Sequence, residues 1–246
     1  MKHNSENKFY WAARLIAAVV VFGISIVSAQ SSIFITEIAD PANEASAGRF
    51  VELYNSNDSP VDLAVGYELH RWTNGNTTST ASTNIALTGV IPANGFYIVG
   101  RSGFENLYGF APNQIGSSGP VDSNGDDQIA LVYNGGAIVI VDMFGVPGED
   151  GTGTTHDFEN GRAERAATVT EHNPTWVAAE WNVVSGGVNA PEGFDPGAWI
   201  GVTTGGNNAP VVNAGSDQQV MANATSGTAS VTLDGSATVD LDGDAM

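Results

Sequence analysis

Gln128-Ile129-Ala130-Leu131-Val132-Tyr133, Asn134-Gly135-Gly136 and Ala137-Ile138-Val139-Ile140-Val141 are consecutive, and the fold is read from them. Two short runs of β-branched, aliphatic and aromatic residues flank a glycine-rich break, the pattern of a tight β-hairpin. The same grammar recurs upstream. Residues 33–38 form a β-branched run that stops at Asp40-Pro41, and residues 50–54 end in the turn cluster Asn55-Ser56-Asn57-Asp58-Ser59-Pro60. Residues 67–72 alternate and stop at Asn74-Gly75-Asn76; residues 83–87 follow; residues 95–99 begin after Pro92-Ala93-Asn94. No window sustains the helical period for three turns, and only residues 103–108 read as a single helical turn. Seven short strands separated by turn signals predict an all-β chain, an immunoglobulin-like sandwich of two antiparallel sheets.

The first 29 residues read differently. Lys2, Lys8 and Arg14 form a positive region, residues 15–27 an apolar run of 13 residues, and Val27-Ser28-Ala29 a small-residue cleavage pattern. A membrane-spanning helix needs about 20 apolar residues. The expectation is therefore a signal-peptide helix removed before Gln30, export to a secreted or cell-surface location, and no stable membrane insertion afterwards. The 217 residues that remain exceed one domain of the commonest size, about 100–150 residues. They contain no cysteine, which for an exported chain points to a bacterial origin.

Charge excludes one class of partner. The whole chain carries eight basic and 27 acidic side chains, a net charge of −19. Three basic residues and only one acidic residue (Glu6) fall in the leader, so the remainder has five basic residues, all arginine, and a net charge of −21. Such a surface repels polyphosphate, and no nucleic-acid binding by this chain is expected.

Residues 144–182 form a long segment without a strand pattern, with Trp176 and Trp181 expected to strap it to the core. Residues 184–207 are rich in Gly, Asn and Pro and read as a linker. Residues 208–246 open a second β-unit with too few strands to close, so the chain is expected to be the front part of a longer protein. The boundaries are thus 1–29 leader, 30–183 sandwich, 184–207 linker and 208–246 incomplete second β-domain.

Several of these pieces carry a resemblance. Ile35-Thr36-Glu37-Ile38, Phe50-Val51-Glu52-Leu53-Tyr54-Asn55, Val61-Asp62-Leu63 and Gly66-Tyr67-Glu68-Leu69 resemble the opening of the lamin tail domain family. Ile91-Pro92-Ala93-Asn94-Gly95-Phe96-Tyr97-Ile98-Val99 and Asp126-Asp127-Gln128-Ile129-Ala130-Leu131 resemble its middle strands, and residues 136–142 its closing hairpin. The resemblance covers roughly residues 31–183. It implies an immunoglobulin-like sandwich. It also implies the company bacterial members keep, as accessory modules in secreted multidomain proteins, often beside hydrolase or nuclease domains. Arg49 departs from the pattern, standing where an acidic residue often precedes the Phe-Val-Glu-Leu strand. Residues 209–215, Asp217, 231–236 and 240–244 resemble the start of a PKD-like repeat, a family of extracellular spacers and binding modules.

Three acidic clusters invite a chemical reading. Asp240, Asp242 and Asp244 alternate around Gly243 and offer hard oxygen ligands for Ca²⁺, the one cofactor the sequence raises; the alternative is a solvated turn. Residues 122–127 form a second acidic loop, read chiefly as a turn around Asn124-Gly125. Glu149, Asp150, Asp157 and Glu159 lie near Arg162 and Arg165, and ion pairs pinning the long segment are their expected use. Nucleophilic catalysis lacks its motifs; His156-Asp157 would be half a triad at most. Trp72, Trp176, Trp181 and Trp199 are expected to pack, with a sugar-stacking platform as the alternative. The reading is a non-catalytic extracellular interaction or anchoring module whose protein, glycan or surface ligand is unspecified. Its alternatives are the accessory front of an extracellular nuclease or phosphodiesterase, and a Ca²⁺-stiffened adhesin stalk.

Overall fold

A computed structural model describes residues 33–202, 221 and 225–229. The leader and most of the C-terminal unit, including Asp240, Asp242 and Asp244, lie outside the described residues. Twelve strands are described: β1 (Ile33–Ala39), β2 (Phe50–Asn55), β3 (Val61–Asp62), β4 (Tyr67–Trp72), β5 (Ile85–Ala86), β6 (Val90–Ile91), β7 (Gly95–Gly100), β8 (Gln114–Ile115), β9 (Gln128–Asn134), β10 (Ile138–Phe144), β11 (Arg162–Arg165) and β12 (Trp181–Val184). They form a six-stranded sheet in the order β12-β11-β1-β2-β7-β8, a four-stranded sheet in the order β10-β9-β4-β5, and the small pair β3-β6. All pairings are antiparallel except β7 with β8. The result is the expected sandwich, and the expected helical turn is there as Phe104–Tyr108.

Alternation decides what fills the space between the sheets. Ile33, Ile35 and Ile38 of β1, Val51 and Leu53 of β2, Val99 of β7, Leu69 of β4, and Ile129 and Leu131 of β9 are fully buried in one cluster. Burying a side chain of this size contributes about 1.5–3 kcal/mol, so this layer outweighs any single polar contact. Two bulges break the alternation. In β1 the register steps from Ile35↔Leu53 to Glu37↔Glu52, leaving Thr36 as the extra residue. In β10 it steps from Ile140↔Val132 to Asp142↔Leu131, leaving Val141. A bulge re-aims the side chains that follow it. Here Glu37 turns to the outer face of the large sheet and Asp142 turns inward between the sheets.

Two expectations need correction. Residues 144–182 are not strandless: Arg162–Arg165 and Trp181–Val184 add two strands beside β1. Strands of only four residues, Arg-Ala-Glu-Arg and Trp-Asn-Val-Val, are too short to show alternation, so the pattern missed them. Residues 184–202 are not a free linker either. Ala42 N donates to Val188 O at 2.8 Å, and Asn43 brackets Ala190 through both its N–H and its carbonyl. Phe194 packs with Phe50, Ile98 and Phe104, and Trp199 with Phe34 and Tyr54. Glycine and proline made this stretch look like linker, yet its aromatics seal the outer face of the large sheet.

Candidate functional site

The strap of residues 188–202 covers a group of carboxyls. Glu37 is the direct cross-strand partner of both Glu164 on β11 and Glu52 on β2. All three are buried, Glu52 completely. Like charges placed opposite one another repel, and burial penalises ionisation further. Glu37 is accordingly held well above the usual carboxylate range by burial, then by Glu52 and Asp195. Burial pushes Glu52 up to about 8, against the Thr36 hydroxyl and the Gly197 N–H, which both donate to it at 2.6 Å. Glu164 is raised by burial and opposed by Arg162. One guanidinium serves the group: Arg162 lies 3.2 Å from Glu164, 3.4 Å from Asp195 and 3.7 Å from Glu37, and donates to Gly193 O. Both Glu37 carboxyl oxygens lack a hydrogen-bond partner. The strap closes over a group of buried carboxyls whose ionisation burial disfavours. Gly197 meets Glu52 with φ +92°, a conformation glycine adopts without strain.

A second polar group joins the two sheets. The β1 bulge leaves the backbone of Ile35 to be satisfied by side chains. Asp142 Oδ2 accepts from Ile35 N at 2.8 Å, and Arg165 Nε donates to Ile35 O at 3.1 Å. Arg165 also donates to Asp142 and, at 3.0 Å, to Glu180. Asp142 Oδ1 accepts from Asn173 N at 2.8 Å. The guanidinium lies 4.1 Å from the Trp181 ring centroid, and both members of the pair are fully buried. An open polar cavity of about 540 Å³ lies beside this clasp, lined by residues 168–173 and Glu180.

The loops singled out in the sequence have other uses. Gly125 takes φ +101° with its backbone against Glu159, so residues 122–127 do form a turn. Within that turn Asp127 pairs with Arg71 at 3.2 Å, and Asp126 and Asp127 both accept from Asn74. Arg162 and Arg165 do not pair with Glu149, Asp150, Asp157 or Glu159, contrary to expectation. Asp150 accepts from Thr152 N and Asp157 from Gly153 N and Glu159 N, all local turn contacts that nearby backbone supplies first. Asp157 therefore does not orient His156, whose ring packs on Phe144 and Trp176 with Nδ1 3.0 Å from Thr154 Oγ1. Burial lowers the His156 pKa. Trp72, Trp181 and Trp199 are buried, and Trp176 packs edge-on against Phe144 and tilted against Trp181, so these aromatics pack rather than form a platform. Arg49 pairs with Asp40 at 2.7 Å and Asp122 at 3.3 Å.

Among the described residues, no group of three or more His, Cys, Asp or Glu is placed to hold a metal ion, and no helix is long and apolar enough to cross a membrane. The Ca²⁺ candidate Asp240, Asp242 and Asp244 is outside them. The carboxyl group under the strap was missed by sequence reading. Its signal was Glu37, an acidic residue between Ile35 and Ile38 that interrupts the two-residue period and so marks a bulge.

No curated protein matches the chain. The family model of the lamin tail domain matches residues 26–148, which hold strands β1 to β10. That family is an immunoglobulin-like, non-catalytic domain, in keeping with the two-sheet sandwich described above. On that match, which spans half of its length, the chain belongs to the lamin tail domain family.

Proposed function

We propose that this chain is an exported, non-catalytic interaction module of the bacterial, secreted type, which holds or targets an extracellular protein by contact with another macromolecule. The observation that carries this reading is how its charges are used. Each of the five arginines beyond the leader is engaged in an ion pair that fixes a loop, a strap or the joint between sheets. The functional capacity left over is surface, strongly acidic and free of lysine. Export is supported by Lys2, Lys8 and Arg14 ahead of the apolar run and by Val27-Ser28-Ala29. A role among further extracellular domains is supported by the PKD-like residues 209–215 and 231–236.

The test is expression of the full chain in a bacterium, followed by fractionation and N-terminal sequencing. The reading expects an extracytoplasmic product that begins at Gln30. A full-length cytoplasmic product overturns it. Robust turnover of DNA, ester or glycoside substrates by the purified chain overturns the non-catalytic part.

A further inference from the structure

We propose that the outer edge of β10, residues 138–141, is a docking strip for an extended, lysine- or arginine-flanked peptide segment of a partner protein. The segment adds as a fifth strand to the β10-β9-β4-β5 sheet. The proposal rests on the interaction-module reading above and gives it a surface and a partner chemistry.

The pairing pattern fixes which backbone groups are open. Asn134 N donates to Gly66 O on the β4 side. In an antiparallel ladder successive residues point their N–H and C=O groups to opposite neighbours. Tyr133 therefore faces β10 and pairs with Val139, while Ile138 and Ile140 present their N–H and C=O groups away from β9. These two residues lie about 7 Å apart along the strand, the spacing at which an incoming strand forms its ladder bonds. Further along the edge, Met143 N donates to Asn173 O at 2.9 Å. The long segment thus covers the lower half of the edge, and among the described residues no backbone group pairs with the upper half.

Protection of this edge is confined to its lower end, where the Val141 bulge and the inward-turned Asp142 interrupt the strand; the side chains of residues 138–140 carry none. Exposed edges are normally blunted by lysine, proline, a charge or a covering loop. Residues 137–140 are Ala-Ile-Val-Ile, with none of these. Ile138 is 66% exposed and Val139 53%, placing them among the more exposed large apolar residues of the described chain. Strand addition takes affinity from main-chain bonds and specificity from alternate side chains, and this strip offers both.

Charge selects the occupant. All five arginines beyond the leader are already paired, so the excess acidic side chains set the sign of the outer field; exposed Glu171 is one of them, two residues before the Asn173 that covers Met143. Two copies of a chain at −19 repel as they approach, whereas a basic-flanked strand is drawn in.

The experiment uses the full chain and a synthetic probe, an alternating valine–threonine peptide with two lysines at each end, in isothermal titration calorimetry. Two variants report on the edge. Ile140→Pro deletes an outward N–H that the fold does not use, a place where an edge strand tolerates proline. Ile138→Lys installs the missing edge charge, and it keeps the proposal testable should the proline variant not fold. Binding that weakens about tenfold or more in either folded variant, and that falls with added salt, is the expected result. Binding that is equal in wild type and a folded variant overturns the proposal, as does equal binding of a lysine–glycine peptide with no strand former. Self-association by sedimentation that a folded edge variant abolishes also overturns it, by assigning the edge to a second copy. Export and N-terminal processing are read separately, so an exported chain whose edge ignores the probe defeats this proposal alone.

Discussion

Replacing Asp142 with asparagine removes a negative charge from a position no water reaches, and leaves Arg165 buried with only Glu180 as its carboxylate partner. Breaking a fully buried pair on one side costs about 3–5 kcal/mol. Against a total stability of about 5–15 kcal/mol that is a large fraction. At about 2–4 °C per kcal/mol for a chain of this size, the melting temperature should fall by about 6–20 °C. The double variant Asp142→Leu with Arg165→Met is the sharper measurement. Replacing both members of an ordinary buried ion pair by apolar residues is often neutral or stabilising. Here it should not be, because the pair also satisfies Ile35 N, Ile35 O and Asn173 N. Three backbone groups left without partners cost about 1–3 kcal/mol each, so the double variant should remain at least ~3 kcal/mol less stable than wild type. Urea unfolding, with calorimetry as a second probe, reads both values. A double variant as stable as wild type would refute the claim that this pair is needed to satisfy the backbone of Ile35 and Asn173.

Glu52 has a folded-state pKa of about 8, above its ordinary value, so its contribution is present below the usual carboxylate range and is lost as pH rises toward 8. Wild-type stability should decline by about 1.4 kcal/mol per pH unit for this group alone, and Glu52→Gln should flatten the slope; urea midpoints at pH 5 to 9 check this. Gly125→Ala places a methyl 2.1 Å from Glu159 Cα at φ +101° and should cost about 2–4 kcal/mol, read as a shift in urea midpoint without a change in slope. Trp199→Ala removes a buried ring packed on Phe34 and Tyr54, together with its 2.6 Å hydrogen bond to Arg165 O; a loss of about 3–5 kcal/mol is expected from thermal unfolding. A chelator should leave the melting of the sandwich unmoved, so any chelator-sensitive transition in scanning calorimetry would report on Asp240, Asp242 and Asp244.

The sandwich was legible because its strands are short β-branched, aliphatic and aromatic runs bounded by turn residues, as in residues 33–38, 50–54, 67–72 and 128–141, although β1 and β2 are buried on both faces and carry no clean alternation. The hairpin at Asn134-Gly135-Gly136 was legible because few residues other than glycine suit that break. The strands Arg162–Arg165 and Trp181–Val184 were not, since Arg165 is buried by pairing and stacking rather than by its own polarity. The strap was read as a linker because glycine and proline outnumber Phe194 and Trp199, although two aromatics suffice to hold it down. The three glutamates beneath it come together only through strand pairing. Glu37 and Glu164 are 127 positions apart yet lie side by side, and local sequence carries no trace of that meeting.

The engagement of every arginine has a practical corollary. Beyond residue 29 there is no lysine, so trypsin can cut only after Arg49, Arg71, Arg101, Arg162 and Arg165. Each of these guanidinium groups is clasped by a carboxylate, and none is more than 28% exposed. The protease meets its sites only when a loop or strand lets go, so digestion becomes a clock for local opening. The order in which the fragments appear ranks the joints of the molecule from weakest to strongest.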